Sequence, residues 1–275
     1  MNNHQLRPLE VNPATGEPFL RLRKHSNVII TPPRLSDCPR IASLIGDPII
    51  YEQLSVPQVP YLVGRLLVKL IIRCTNPADH RQLENPTAEH AEAYMSRIKP
   101  QADAILKALG DAEEQEELLV ADGCPVSYIR EVQSDGSDLL IGHISIHASE
   151  SRSKEFRQGE GNKIIDGPSE SEEVKKQERE PEQASTVVEW TIGDWLAPSH
   201  HGQGIMSDTV DTLIHDWAIP RMKVQRIAVA AFLGNPGSVR VFEKNGFRTR
   251  SVVEDAVEVR GKRRGLHILE WEVDQ

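Results

Sequence analysis

The chain from Ile192 to Thr209 reads I-G-D-W-L-A-P-S-H-H-G-Q-G-I-M-S-D-T. Leading into it is a β-prone apolar run, Val187, Val188, Trp190 and Ile192, which stops at Gly193 and at Ala197-Pro198. A loop carrying Gly202 and Gly204 follows, and an amphipathic run from Ser207 to Trp217 begins at once. The order is strand, loop, helix. Glycines at the start of a helix leave backbone N–H groups pointing into one concavity with no side chain in the way, and the helix dipole adds partial positive charge there. Such a place suits a phosphate or pyrophosphate. The loop lacks G-x-x-x-x-G-K-[ST], which argues against a P-loop nucleotidase, and it lacks the G-x-G-x-x-G of a dinucleotide fold.

A second block follows in order. Arg226 to Ala231 reads as a buried strand, and Asn235-Pro236-Gly237-Ser238 opens a helix that ends at Asn245-Gly246-Phe247. The loop H-G-Q-G-I-M resembles the [QR]-x-x-G-x-[GA] signature of the GNAT N-acetyltransferases, and N-P-G-S-V-R-V-F-E-K-N-G-F is similar to the N-x-x-S-x-R-v-x-E-K-x-G-F of their ribosomal-protein N-terminal acetyltransferase branch. His201 stands where the signature has Gln or Arg, and Met206 where it has a small residue. The likeness extends to Leu139-Leu140-Ile141-Gly142 and, more loosely, to residues 31–37, covering most of residues 27 to 273 with gaps.

The resemblance implies an α/β (α+β) GNAT fold: a mixed, mostly antiparallel sheet with two splayed parallel strands and flanking helices. It implies an acetyl-CoA-dependent transfer to a primary amine, on a peptide N-terminus or a small molecule, by direct attack in a ternary complex and with no metal. The cosubstrate would be held by Trp195, Leu196, His201, Gly202, Gln203, Gly204, Ile205, Met206, Ser207, Asn235 and Ser238, with a backbone N–H near Trp195 or Leu196 as the oxyanion donor. The tyrosine that many relatives use to protonate the thiolate is Phe242 here, so Ser238 becomes the candidate proton donor, against a plain role in helix capping. The glutamate some relatives carry on the penultimate strand aligns with Val257; Glu189, on the strand leading into the splay, is the candidate base, against an outward-facing strand carboxylate. Rival readings are a polyamine, amino-sugar or antibiotic acetyltransferase, and an inactive acyl-CoA-binding relic with a regulatory or structural role.

Composition sets outer bounds. A chain of 275 residues with 39% hydrophobic content buries a sizeable core, and a formal charge of -9 argues against nucleic acid as the main partner. Cys38, Cys74 and Cys124 lie far apart with no C-x-x-C, as in a reduced intracellular protein with neither a disulfide frame nor a zinc site. The first residues have no apolar leader core, and the longest apolar run, Tyr61 to Ile72, is interrupted by Arg65 and Lys69. The expectation is a soluble cytoplasmic or nuclear protein with no membrane association.

Along the chain, residues 1–26 read as a flexible N-terminal arm, with Phe19-Leu20-Arg21-Leu22 as a possible edge strand, and residues 27–275 as the acetyltransferase domain. Val28 to Ile30 forms a short strand, and Ser36 or Asp37 caps a helix reaching about Gly46. Leu62, Leu66 and Leu70 place a helix over residues 60–73, packed on the sheet or walling the acceptor slot. Residues 87–119 predict a long helix or helical pair that Pro100 breaks or kinks, followed by a solvated acidic run. Val126 to Val132 and Leu139 to His147 pair around Ser134-Asp135-Gly136-Ser137, with Gly142 allowing close approach of a neighbouring backbone and His143 and His147 as ordinary strand histidines. Residues 149–185 are too polar to offset their ordering entropy and read as a disordered charged insertion. A closing hairpin spans residues 249–273, with Arg260, Lys262, Arg263 and Arg264 at its turn, solvated or contacting the 3′-phosphate of CoA.

Overall fold

The computed structural model describes residues 3–54, 87–148 and 188–273. The helix expected at 60–73 and the insertion at 149–185 lie outside them. The strands are β1 (Glu10–Val11), β2 (Pro18–Arg21), β3 (Val28–Thr31), β4 (Tyr128–Val132), β5 (Asp138–Ala148), β6 (Trp190–Leu196), β7 (Arg226–Phe232), β8 (Arg248–Val259) and β9 (Lys262–Glu272). They form one 9-stranded sheet in the order β1-β2-β3-β4-β5-β6-β7-β9-β8. Every neighbouring pair is antiparallel except β6 and β7, which run parallel. Mixed, mostly antiparallel pairing is the expected architecture.

Residues 3–26 are not a loose arm. β1 and β2 extend the sheet, and Leu9, Leu20 and Leu22 are buried in the main core. The Gln5 side chain is fully buried, donating to the carbonyls of Gln115 and Glu117 and accepting from the N–H of Leu119. The Arg221 guanidinium donates to the carbonyls of Gln5, Arg7 and Leu119. Long-range partners of this kind leave no periodicity in a local window, so the segment's polar composition misleads.

One face of the sheet carries α1 (Cys38–Ile45), α2 (Pro48–Tyr51) and α3 (Ala88–Asp111), whose Ile41, Ile45, Ile50 and Met95 cluster with Tyr128, Leu140 and Trp195. Asp37 precedes α1 but makes no side-chain cap; its carboxylate instead accepts from the buried Arg130. α3 runs unbroken through Pro100, contrary to a break there, and Thr87 and His90 form its capping box.

The other core face is built on α4 (Ile205–Thr212), which continues as a π-helical turn over Leu213–Ala218 and a last helical turn over Ile219–Met222. Pro220 has no N–H to give the carbonyl of Asp216, and the helix widens just ahead of it. Val210, Ile214 and Trp217 from this helix are fully buried against the sheet. α5 (Pro236–Glu243) packs beside it, adding Phe242. Among the described residues, no helix is long and apolar enough to cross a membrane.

Gly142 sits where a register shift between β4 and β5 and the β6 backbone converge: a Cβ there would lie 2.7 Å from the Trp195 carbonyl oxygen. The close approach expected of this glycine is present. The β8–β9 turn differs from a solvated one. Arg260 lies 3.8 Å over the Tyr51 ring and donates to the Leu54 carbonyl, while Arg264 lies 4.3 Å over Phe232 and donates to the Glu52 carbonyl.

Candidate active site

The site is organised by a sheet that opens. β6 and β7 pair at one register position, Trp190 with Ile227, and diverge toward their C-terminal ends. Ala197 donates to Ile141, so alternation along β6 gives the odd-numbered N–H groups to β5 and turns those of Asp194 and Leu196 toward the gap. On the far side Leu233 donates to Gly265, which leaves the backbone groups of Ala230 and the N–H of Phe232 facing the same gap, while the Phe232 carbonyl accepts from the Asn235 N–H. Two strand edges inside a fold with no strand between them are costly unless a ligand supplies the missing partners. Of the two N–H groups considered from sequence as oxyanion donors, that of Leu196 faces the gap and that of Trp195 is turned to β5.

The gap opens into a cavity of about 1440 Å³, whose walls include Asp194, Trp195, Leu196, Ala230, Phe232, Asn235 and Ser238. At its mouth lies the glycine loop. Gly202 and Gly204 adopt φ of 74° and 84°, left-handed values open to glycine at no steric cost. Gly204 is the N-cap of α4 and no side chain caps the helix. Among the described residues, the backbone N–H groups of Gly202, Gln203, Gly204, Ile205, Met206 and Ser207 make no hydrogen bond. Free amides at the positive end of a helix form an anion site.

The His201 and Gln203 side chains both bond to backbone carbonyls that hold the loop. The His201 ring nitrogen donates to the Leu196 carbonyl at 2.8 Å, tying the loop to the strand end. The Gln203 side chain donates to the Ser199 carbonyl at 2.9 Å, and this residue does not line the cavity, unlike His201, Gly202, Gly204, Ile205, Met206 and Ser207. Met206 is buried in the main core, so the bulk at this position is taken up by packing.

α5 supplies the third wall. The Asn235 side chain accepts from the Ser238 N–H at 3.1 Å, so Asn235 is the helix cap and the Ser238 hydroxyl is not needed for it. Gly246 closes the helix at φ 82°, and Asn245 donates to the carbonyls of Val241 and Ser207, fastening the end of α5 to the start of α4. The two sequence blocks are thus one site, joined by the asparagine of N-G-F.

Residues 69–248 match the family model described as "Acetyltransferase (GNAT) domain". The chain belongs to this family. It is 37% identical over 70 residues to a "Probable N-acetyltransferase YjcK" of Bacillus subtilis, and 37% identical over 65 residues to a "Ribosomal-protein-serine acetyltransferase" of Escherichia coli. These matches span 26% and 24% of this chain and 38% and 36% of those proteins, little more than a third of their length. Among solved structures, the apo form of RimL, a ribosomal alpha-N-protein acetyltransferase, superposes with a TM-score of 0.53 at 14% identity, covering 96% of this chain and 99% of that one. A GNAT-family acetyltransferase from Bacillus anthracis gives 0.51 at 12% identity, over 92% and 98%. At these identities the likeness speaks for the fold.

The ionisable groups of the GNAT cavity sort by environment. Glu189, the base expected from sequence, does not line it: the residue is buried at the closed end of the splay with its carboxylate 3.6 Å from the Arg226 guanidinium. Asp194, five residues on, does line it. No hydrogen bond among the described residues reaches its carboxylate, and desolvation pushes its pKa up from 3.8 to about 6. His143 is also in the wall, stacked 6.1 Å from the Trp195 ring and edge-on to Tyr128 at 4.9 Å. Burial, with His147 adding to it, lowers its pKa to about 3, so it is neutral at physiological pH. Asp194 was missed because a strand carboxylate between Gly193 and Trp195 carries no motif. The legible signal was parity with Ile192 and Leu196, which marks an inward-facing side of the strand. Arg240 and Lys244, exposed on the cavity side of α5, were likewise not singled out.

Proposed function

We propose that this GNAT domain transfers the acetyl group of acetyl-CoA to a primary amine by direct attack within a ternary complex. The observation that carries the reading is the run of unpartnered N–H groups from Gly202 to Ser207 at the mouth of the β6–β7 gap, a cradle for a diphosphate whose attached arm lies between the strands. Arg240 and Lys244 add positive charge on the same side. When bound, acetyl-CoA supplies the activated carbonyl. The chain's residues do the rest: the Leu196 N–H faces the developing oxyanion, Asp194 takes the proton that the neutral amine sheds as it attacks, and Ser238 gives a proton to the departing sulfur. The C–N bond forms as the C–S bond breaks, and the proton lost at nitrogen balances the one gained at sulfur. Of these two ionisable groups in the wall, the half-buried Asp194 at about 6 is the better proton acceptor near neutrality than the buried His143 at about 3.

The acceptor is proposed to be a peptide N-terminus, supported by the segment shared with a ribosomal-protein-serine acetyltransferase and by the fold shared with RimL. The test is calorimetric titration with CoA, followed by thiol release from acetyl-CoA against N-terminal peptides, polyamines and aminoglycosides. CoA binding with acetylation of free but not N-blocked peptides is expected. Turnover confined to polyamines or aminoglycosides would assign a small-molecule acceptor, and binding without turnover across the panel would assign an inactive relic. Failure of CoA to bind ends the reading.

A further inference from the structure

The turn between β2 and β3 reaches across the molecule to the glycine loop. Asp208, in the first turn of α4, is 1% exposed, and its Oδ2 accepts from the N–H of Lys24 at 2.9 Å and of His25 at 2.8 Å. The His25 ring closes the arrangement, with Nδ1 2.7 Å from the same oxygen and Nε2 3.1 Å from the Gln203 carbonyl oxygen. Both oxygens only accept, so at each contact the ring nitrogen is the donor. Arg23 pairs with Asp216 at 2.6 Å and Lys24 with Asp211 at 3.2 Å, pinning the turn on either side.

The peptide unit between Gln203 and Gly204 is planar and trans, so its C=O and N–H point in opposite directions. Holding the Gln203 carbonyl toward His25 therefore turns the Gly204 N–H away from His25. That N–H has no partner among the described residues, and it belongs to the N-cap residue of α4, which lines the cavity. Gly204 has no side chain to resist rotation of this unit; a Cβ there would lie 3.8 Å from the His25 ring. We infer that His25 is a positioning residue for the diphosphate cradle: linked to the buried Asp208, it fixes the orientation of the Gln203–Gly204 peptide and so the aim of its amide. This rests on the reading of the glycine loop as a diphosphate site.

S-acetylpantetheine carries the same thioester without the diphosphate and the 3′-phosphoadenosine, so comparing it with acetyl-CoA reads the nucleotide end of the cosubstrate, and the change in that ratio on altering His25 reads the cradle. In His25→Ala the ratio of kcat/KM for acetyl-CoA to that for S-acetylpantetheine is expected to fall about tenfold, the size of one hydrogen bond. The Kd for CoA should rise by the same factor. Asp208→Asn should move the ratio in the same direction by less, and the double variant should be no worse than His25→Ala, because the two act through one linkage. A ratio unchanged in both single variants, even with a lowered melting temperature, overturns the inference and leaves the turn a structural fastening. Fully multiplicative effects in the double variant also overturn it. If the unaltered protein itself shows no preference for acetyl-CoA over S-acetylpantetheine, the diphosphate reading of the loop fails instead.

Discussion

Replacing Asp194 by Asn removes a charge from the β6 edge and leaves the shape unchanged. The folded protein holds this carboxyl at about 6 against an ordinary 3.8, which means that the fold disfavours the ionised form. At roughly 1.4 kcal/mol per pKa unit the full shift is worth up to ~3 kcal/mol, and contact with cavity water reduces this to ~1–3 kcal/mol. The sign follows from proton binding. Between pH 3.8 and about 6 the folded chain keeps a proton at Asp194 that the unfolded chain has lost, so stability falls as pH rises through that window and stays lower above it. Asp194→Asn should therefore match the parent near pH 4 in denaturant titrations and exceed it by ~1–3 kcal/mol at pH 8. Its turnover should fall about 10²-fold or more, the usual loss for a general base, and the acidic limb of kcat/KM near pH 6 should disappear. A variant that is active with its limb intact, or that is less stable than the parent at pH 8, refutes the assignment of this carboxylate as a desolvated base.

Ser238→Ala tests the proton-donor role apart from capping: because Asn235 caps α5 through the Ser238 backbone, stability should change by less than ~0.5 kcal/mol while kcat falls about tenfold, read by thermal melts beside steady-state kinetics. Gly142→Ala drives a Cβ to 2.7 Å from the Trp195 carbonyl and 2.9 Å from Leu196 Cδ1, and should cost about 1–3 kcal/mol in urea titrations together with weakened CoA binding, since β6 has to shift. Arg221→Met strips the donor from the carbonyls of Gln5, Arg7 and Leu119 and should cost about 2–4 kcal/mol, with limited proteolysis newly cutting ahead of β1.

The parts of the fold that were legible in sequence are those whose cause is local. Gly202 and Gly204 before an amphipathic run, and N-P-G-S ahead of N-G-F, place loop and helices because φ above zero, caps and C-terminal glycines are set by nearest neighbours. The β2–β3 turn could not be read this way. Arg23, Lys24 and His25 resemble any basic turn until Asp208, Asp211 and Asp216 are placed opposite them by the packing of α4. The same holds for Glu189 and Asp194. One precedes β6 and the other lies within it, and only the single pairing of Trp190 with Ile227 decides that the first is at the closed end and the second in the open gap.

The groups that build the site have a common physical character, whether or not they were legible in sequence. Asp194 lacks a partner, the amides from Gly202 to Ser207 lack acceptors, and β6 and β7 lack a strand between them. Each is unfavourable for the chain alone, and each is held in place by something distant: the fully buried Val210, Ile214 and Trp217 anchor α4 beneath the loop, and Asn245 ties α5 to α4 across the gap. Such unmet groups are where a bound diphosphate, a pantetheine amide and an incoming amine gain most, because each replaces an absence rather than an existing bond. It follows that filling the gap from within, by a substitution that supplies an acceptor to the loop amides, should stabilise the protein and weaken CoA binding together.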